Sequence, residues 1–184
     1  MSGDREGRAT LEPPTVSRLA AADFRDSLKE LAELLVDAVD GGASLGFLAP
    51  FDLDDAAGWW RTREPAVADG SLVVWVARGP EGVVGTVGLA LEDKPNGRHR
   101  AEIVKVMVRR DARGRGLARR LLATAEAAAV RAGVGLLLLD TETDSPAEHL
   151  YRSAGWTRYG VVPAYAAGPS GELRDCSFYY KRLG

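Results

Sequence analysis

The sequence contains a single cysteine and only two histidines among its 184 residues. The lone cysteine, Cys176, excludes an internal disulfide, and we expect it to be a buried thiol on a strand. His99 and His149 lie far apart and lack the spacing of metal ligands, so we expect no metal site. The N-terminus lacks the apolar core of a secretion signal, and no apolar run is long enough to span a membrane. We therefore expect a cytoplasmic protein without a membrane partner.

Neither sign of charge dominates the chain. Lysine and arginine number 24 against 26 aspartates and glutamates, which gives a formal net charge of −2. This balance gives no support for nucleic acid as a partner. Many basic residues instead lie in one short stretch from Lys105 to Arg120, where Asp111 alone opposes them. The clustering indicates a local anion site on a mildly acidic protein.

Length and composition predict one domain. The polar start of the chain, interrupted by Pro13 and Pro14, is expected to form a disordered tail over residues 1–14, followed by a domain over residues 15–184. Hydrophobic periodicity in that domain predicts the order strand, two helices, three strands, helix, strand, helix and two strands. We expect an α/β (α+β) fold with a mixed central sheet of about six to seven strands and helices on both faces.

Local signals set the boundaries of several elements. The first helix is predicted over residues 23–40 and ends at Gly41. Asp52 is expected to cap the second helix, which Pro65 breaks or kinks. The nearly continuous apolar run over residues 134–143 predicts a strand in a sheet that is covered on both faces.

One stretch in the middle of the chain combines a strand, a turn and a helix. A buried strand over residues 103–108 leads to the turn Arg113-Gly-Arg-Gly-Leu-Ala118, and an amphipathic helix begins at Leu117. Gly114 and Gly116 let the backbone come close to a ligand, because no Cβ stands in the way. The first N–H groups of a helix have no helical partner, and the helix dipole is positive there. With arginines nearby, the turn predicts a phosphate-binding site.

Two common phosphate-binding motifs do not fit this turn. A P-loop requires lysine and then serine or threonine after its last glycine, and a dinucleotide fingerprint requires a glycine where Arg119 stands. The pattern [Q/R]-x-x-G-x-[G/A] does fit, through Arg113, Gly116 and Ala118. In this respect the chain resembles the acyl-CoA motif of the GNAT acetyltransferase superfamily.

The resemblance implies that acetyl-CoA is the cosubstrate and that main-chain N–H groups of the turn hold its pyrophosphate. It also implies that the preceding strand runs beside the pantetheine, and that the N–H near Val108 polarises the thioester carbonyl. Arg115 and Arg119 are the side chains that we expect to contact phosphate. The full set of expected cofactor-binding residues is Met107, Val108, Arg113, Gly114, Arg115, Gly116, Leu117, Ala118, Arg119, Asp144 and Tyr151.

A second motif follows the apolar strand, on a helix predicted to begin at Ser145-Pro146. The run Ala147-x-x-Leu150-Tyr151-x-x-x-Gly155-Trp156 is similar to the GNAT pattern A-x-x-[LF]-Y-x-x-x-G-[FW]. The resemblance implies that Tyr151 faces the sulfur of CoA and acts as the general acid. Taken alone, the tyrosine fits a core aromatic. Asp144 stands where many family members have an asparagine that contacts the cofactor.

Acetyl transfer to an amine requires that a proton leaves the amine, and carboxylates are the candidate acceptors. Asp140 ends the apolar run, where a carboxylate needs a partner or a function. Beyond the motifs, the chain resembles the tabtoxin-resistance acetyltransferase group, which implies that Asp140 and Tyr151 form an acid–base pair. Alternatively, Asp140 only anchors the strand end through hydrogen bonds. Glu102 is the second candidate base, with an ion pair to Arg98 or Arg100 as its alternative.

The predicted acceptor is the primary amine of a small molecule, such as an amino-acid-like toxin or antibiotic. Direct transfer in a ternary complex is favoured, because no cysteine or serine with an adjacent base lies near the motif. Loops over residues 41–50 and 163–173 are expected to close over the acceptor, with Ser44, Phe47 and Trp59 lining its pocket. The alternatives are a protein N-terminus or lysine as the acceptor, or a non-catalytic acyl-CoA-binding sensor. The last strands are a candidate homodimer interface.

Overall fold

The computed structural model describes residues 13–184; residues 1–12, which hold most of the predicted tail, lie outside the described residues. No helix in the described part is long and apolar enough to cross a membrane. The elements in chain order are β1 (Thr15–Arg18), α1 (Ala21–Phe24), α2 (Leu28–Asp40), α3 (Leu53–Arg61), α4 (Glu64–Asp69), β2 (Leu72–Gly79), β3 (Gly82–Leu91), β4 (Arg100–Val108), α5 (Leu117–Arg131), β5 (Leu136–Glu142), α6 (Pro146–Ser153), β6 (Thr157–Ala167) and β7 (Leu173–Arg182). A single 3₁₀ turn, Arg110–Ala112, separates β4 from the glycine turn.

The strands form one sheet in the order β1-β2-β3-β4-β5-β7-β6. Strands β4 and β5 are parallel, and the other neighbours are antiparallel. On one side, here called the α2 face, α2 packs on β3 and β4 while α4 packs on β2. On the other side, the α5 face, α5 packs on β2, β3 and β4, and α6 packs on β5. The prediction of a mixed sheet with helices on both faces is confirmed.

Strand β5 is covered on one face, so the prediction of a strand buried on both faces is wrong. Leu137 and Leu139 are buried in the core under α5 and α6, whereas Leu136 and Leu138 are half-buried. Asp140 is exposed. The reason is that α1–α4 lie over β1–β4, and the described core under α2 contains no β5 residue. The apolar run therefore has an open side, which ends in a carboxylate.

The sequence predicts one helix over residues 23–40, but the structure divides it into α1 and α2. Ser27 lies in the break and is buried, and its hydroxyl accepts a hydrogen bond from Arg78 Nη2 at 2.9 Å. In the break the main chain forms tighter turns, with the N–H of Ser27 donating to Phe24 O at 3.2 Å and that of Leu28 to Arg25 O at 3.3 Å. Gly41 follows the last residue of α2, as predicted.

The second helix is also divided, although Asp52 caps it as predicted and accepts from the N–H of Asp55 at 2.9 Å. Helix α3 ends before Thr62, whose hydroxyl donates to the carbonyl of Trp59 at 2.6 Å. Pro65 lies in the first turn of α4, where a proline needs no N–H partner. The predicted break is therefore confirmed, because α3 ends at Arg61, four residues before Pro65, and the proline lies in the first turn of the next helix.

The predicted loop over residues 163–173 is mostly strand. Strand β6 continues to Ala167, with a register shift against β7 between Val162 and Ala166. The shift is held by Asp175, whose Oδ1 accepts from the N–H of Ala164 at 2.9 Å. Pro163 lies within this irregularity of an edge strand, where its missing N–H breaks no regular pairing. The loop expected here is thus reduced to the turn between Ala167 and Leu173.

Candidate active site

The parallel pair β4–β5 separates soon after it begins. Pairing joins Arg100–Glu102 to Leu136–Leu138 and goes no further along either strand. Beyond that point β5 pairs with β7 and β4 with β3, so the carboxyl-terminal halves of β4 and β5 diverge. Helix α5 follows β4 and helix α6 follows β5, which places the first turns of both helices beside the gap. This gap is called the cleft below.

The glycine turn leaves space for a ligand at the start of α5. Gly114 and Gly116 have φ angles of 75° and 73°, and a Cβ at either position would meet no atom within 4 Å. Gly116 is the N-cap and supplies no side-chain cap. The first helical bond runs from Arg120 N–H to Gly116 O, so the preceding N–H groups have no acceptor in the helix. Free donors, open space and a positive helix end fit a pyrophosphate.

The three arginines of this region have different surroundings. Arg113 Nε donates to the Val108 carbonyl at 3.0 Å and so fixes the turn to the end of β4. Arg119 donates to the hydroxyl and carbonyl of Ser153, at 2.6 and 3.3 Å, which ties α5 to the end of α6. Arg115 is exposed and makes no hydrogen bond or ion pair within residues 13–184. Of the two arginines expected at phosphate, Arg115 thus has the available guanidinium.

The main chain of Val108 faces the cleft. The next residue, Arg109, donates its N–H to Val84 O on β3 at 2.9 Å. Main-chain groups of successive strand residues point to opposite sides, so the N–H and carbonyl of Val108 point away from β3. Arg113 binds the carbonyl, and the N–H has the orientation that an oxyanion donor needs. The side chain of Met107 is buried in the core under α2.

Tyr151 on α6 is buried except near its hydroxyl. Its ring packs edge-on against Trp156 at 6.1 Å and beside Tyr179 at 6.2 Å between centroids. The hydroxyl has no hydrogen-bond partner within residues 13–184. Every fully buried side-chain nitrogen or oxygen in this part of the chain does have a partner, so the hydroxyl must be partly exposed to solvent. Burial, together with the charge of Asp140, raises the pKa of Tyr151 well above its ordinary value. The hydroxyl therefore keeps its proton at neutral pH.

Both predicted carboxylates lie close enough to influence each other. Burial and the charge of Asp140 raise the pKa of Glu102. The alternative ion pair of Glu102 is absent in the described part, because Arg100 instead pairs with Glu92 at 2.7 Å. Asp140 Oδ2 lies 3.4 Å from the thiol of Cys176, and burial followed by this carboxylate raises the thiol pKa to about 12. The charge of Asp140 thus reaches Glu102, Tyr151 and Cys176.

An aromatic pair lies on the other side of the cleft. Phe47 and Trp59 pack edge to face, 5.5 Å between centroids, and both are half-buried. Trp60 instead enters the core, where its Nε1 donates to Leu31 O at 3.1 Å. Ser44 is half-buried in the same loop as Phe47. Of the two tryptophans, Trp59 is therefore the one available to an acceptor.

The two loops that are expected to cover the acceptor meet each other. The N–H of Ala49 donates to the carbonyl of Pro169 at 2.9 Å, which joins the loop after α2 to the β6–β7 turn. The strand extension described above brings the β6–β7 turn within reach of the first loop.

Lys105 is a candidate site residue that its sequence pattern does not predict. Its φ angle of 50° belongs to a bulge in β4, where Val87 on β3 faces both Lys105 and Val106. A bulge redirects side chains, and such bulges are common beside active sites. The sequence gives no signal for it, because a lysine in the left-handed region is uncommon and no glycine marks the position.

Glu148 is a second residue that sequence reasoning missed. It is 3% exposed, and its carboxylate accepts from Tyr179 OH at 2.6 Å and from the Asp144 N–H at 2.8 Å. Arg152 and Arg158 lie 3.4 and 3.3 Å from it. Burial alone opposes ionisation, but these hydrogen bonds and charges lower the pKa of Glu148 to about 2. The carboxylate thereby fixes α6, and with it Tyr151, to β6 and β7.

Replacing Glu148 with glutamine is expected to lower the unfolding free energy by about 3 kcal/mol at pH 7. The folded pKa of about 2 lies below the ordinary value of 4.5, so this contribution is present above pH 4.5 and disappears as the pH falls toward 2. The difference between Glu148→Gln and wild type in urea denaturation should therefore shrink as the pH is lowered. Glu33→Gln, on an exposed helix face, is the matched control. A difference independent of pH would contradict the role of the charge.

A family model and several solved structures are similar to this chain. The family model described as acetyltransferase (GNAT) family matches residues 47–156. The ribosomal-protein-alanine N-acetyltransferase of Brucella melitensis is 28% identical over 92% of this chain and 99% of its own, with a TM-score of 0.71. The putative acetyltransferase YncA of Salmonella typhimurium, solved with acetyl-CoA, is 22% identical over 94% and 95%, with a TM-score of 0.73. A Sinorhizobium meliloti phosphinothricin acetyltransferase in complex with acetyl-CoA is 20% identical over 94% and 89%, with a TM-score of 0.74.

Proposed function

Because the chain belongs to the GNAT family of acetyl-CoA-dependent acetyltransferases, we propose that it acetylates the primary amine of a small, amino-acid-like molecule. The observation that carries the proposal is the contact between Ala49 and Pro169, which joins the two loops that we expect to cover the acceptor. A peptide acceptor needs an open groove, whereas a small acceptor fits beneath joined loops. In this proposal residues 15–184 are the acetyltransferase domain, acting in the cytoplasm.

The chain's own groups have distinct roles toward the cosubstrate. Acetyl-CoA supplies an activated acetyl group as a thioester. The N–H groups from Arg113 to Ala118 hold its pyrophosphate, and the guanidinium of Arg115 adds positive charge. The N–H of Val108 stabilises the carbonyl oxygen as negative charge develops there, a contribution of about 3–4 kcal/mol for one such donor.

Acid and base roles follow from the protonation states at the cleft. Tyr151 retains its proton until charge develops on the leaving sulfur and then donates it there. A carboxylate, Asp140 directly or Glu102 through water, accepts the proton of the amine. The raised pKa of Glu102 makes it a stronger base than an ordinary carboxylate, which supports its role as the proton acceptor. Cys176 stays protonated, which supports direct transfer over an acetyl-enzyme.

The Asp140→Asn variant is expected to move the acidic limb of the kcat/KM–pH profile to lower pH. The charge of Asp140 raises the pKa of Glu102, so removing it allows Glu102 to stay ionised in more acidic solution. In Glu102→Gln the contribution of Glu102 to this limb should disappear, which leaves the slope due to protonation of the amine. The profile is measured with one amine, whose own ionisation is common to all three proteins. Loss of the limb in Asp140→Asn, and its retention in Glu102→Gln, would identify Asp140 as the base instead.

A protein N-terminus is the second candidate acceptor, favoured by the 28% identity to the Brucella melitensis ribosomal-protein-alanine acetyltransferase. Free thiol release from acetyl-CoA separates the candidates. The panel contains phosphinothricin, tabtoxinine-β-lactam, free amino acids, a peptide with N-terminal alanine and a peptide with an internal lysine. Turnover with a small amine supports the proposal, turnover with a peptide alone overturns it, and no turnover with any amine indicates an acyl-CoA sensor.

We also propose a role in resistance to a toxin or antibiotic, and a homodimer. The likeness to the tabtoxin-resistance group and the fold shared with a phosphinothricin acetyltransferase support a role in toxin or antibiotic resistance. A homodimer through β6 is supported by its position at the sheet edge and by its exposed side chains. The apolar ones are Tyr159, Val161, Val162 and Tyr165. An exposed, long and apolar edge strand is prone to pair with another chain.

A further inference from the structure

Lys105 occupies a strained backbone position that points its side chain into the acceptor side of the cleft. A φ angle of 50° is unfavourable for a residue with a Cβ. Such strain persists where the surrounding structure holds it, and it is frequent at functional sites. Here the bulge carries the ammonium group to the loop after α2, where Nζ donates to Leu45 O at 2.9 Å. The strain therefore places a cation beside the aromatic pair.

The surroundings of this ammonium group are aromatic and cationic. Nζ lies 5.5 Å from the ring centroid of Phe47 and 5.0 Å from that of Trp59. The guanidinium carbon of Arg63 lies 5.1 Å from the same Trp59 ring. The ammonium has three protons, and the Leu45 carbonyl is its hydrogen-bond acceptor within residues 13–184. Two N–H donors and a neighbouring guanidinium are thus available to an anion.

The opposite side of the same cleft is acidic. The charges of Glu102 and Asp140 both favour the protonated form of Lys105. Neither carboxylate lies within 4.0 Å of its ammonium group in the described part of the chain. Burial lowers the pKa of Lys105, a shift that the two carboxylates oppose and Arg63 reinforces. The cleft thus has a cationic end at the aromatic pair and an anionic end at β4 and β5. Such a division suits an acceptor with an amine at one end and an anion at the other.

We propose that Lys105, with Arg63 beside it, binds a carboxylate of the acceptor and makes the enzyme select free amino acids over their uncharged derivatives. This inference rests on the proposed function, since it specifies the acceptor of that same site. The amine of the acceptor lies toward Glu102 and Asp140, and its carboxylate receives the two remaining N–H donors of Lys105. Selectivity arises because an ester or amide leaves this desolvated cation without an anionic partner.

The test compares free amino acids with their methyl esters. For each amino acid that the wild type acetylates, kcat/KM is measured for the acid and the ester, and their ratio is taken. Lys105→Met keeps the length of the side chain and removes its charge, and it should lower the acid/ester ratio roughly ten- to hundred-fold. Differences in amine basicity between acid and ester cancel when the ratios of two proteins are compared.

Two further variants and one melting measurement complete the experiment. Lys105→Arg retains the charge and should restore most of the acid/ester preference, while Lys29→Met removes an exposed lysine from α2 and should leave the ratio unchanged. Thermal melting checks that each variant is folded. An acid/ester ratio that is the same in Lys105→Met and wild type would overturn the role of Lys105 and leave the proposed function standing. A wild type that acetylates peptides but neither acids nor esters would overturn the proposed function.

Discussion

Replacing Gly116 with aspartate is expected to abolish acetyl-CoA binding in a protein that still folds. Gly116 has a φ angle of 73°, and a Cβ there meets no atom within 4 Å, so the side chain enters the space assigned to the pyrophosphate. Aspartate and asparagine are the side chains that best tolerate the left-handed region, which limits the structural effect. A carboxylate at the start of α5 also cancels the positive potential that attracts the phosphates.

Gly116→Asn is the matched control, because asparagine has nearly the same shape without the charge. We expect affinity for acetyl-CoA, measured by calorimetry, to fall in both variants and to fall much further in the aspartate variant. Circular dichroism and melting temperature verify that both variants remain folded. Wild-type affinity in a folded Gly116→Asp protein would show that the pyrophosphate lies elsewhere.

The second large effect is expected from Tyr151→Phe. Positioned general acids contribute roughly 10²–10⁴-fold to rate, and kcat should fall within that range. Phenylalanine preserves the ring that packs on Trp156 and Tyr179, so core packing and acetyl-CoA affinity should change little. The lost atom is the hydroxyl, which has no hydrogen-bond partner within residues 13–184. Its removal therefore leaves no buried donor or acceptor unpaired there.

Tyr159→Phe provides the comparison for Tyr151→Phe. Tyr159 is 59% exposed on β6, so loss of its hydroxyl should leave kcat unchanged. The two variants are compared by steady-state thiol release at saturating acetyl-CoA. Unchanged turnover in Tyr151→Phe would remove the tyrosine from the mechanism and return it to the role of a core aromatic.

The sequence was sufficient for those parts of the site that depend on neighbouring residues. The glycine turn, the start of α5 and the helix with Tyr151 are local arrangements, and their residue spacing carries the information. The order of strands and helices also follows from periodicity. Two adjacent tryptophans on a helix cannot both face the core, but it is the burial of Trp60 in the structure that leaves Trp59 for the acceptor side.

The remaining features depend on contacts between distant segments. The bulge at Lys105 arises from its pairing with β3 and from the loop it binds, and neither leaves a local signal. Glu148 resembles any polar residue of a short helix, and its burial is decided by Tyr179 and Arg158 on other strands. The open face of β5 likewise depends on how far α2 extends across the sheet. Periodicity in the sequence describes one helix or strand at a time, so it does not predict contacts between distant segments.

A competition experiment tests the central claim most directly. The enzyme receives limiting acetyl-CoA together with equal concentrations of phosphinothricin, the amino acids that release thiol and a peptide with N-terminal alanine, and mass spectrometry identifies the acetylated product. Our account predicts acetyl groups on the small amino-acid amines and none above background on the peptide. Acetylation of the peptide in preference to every small amine would contradict it.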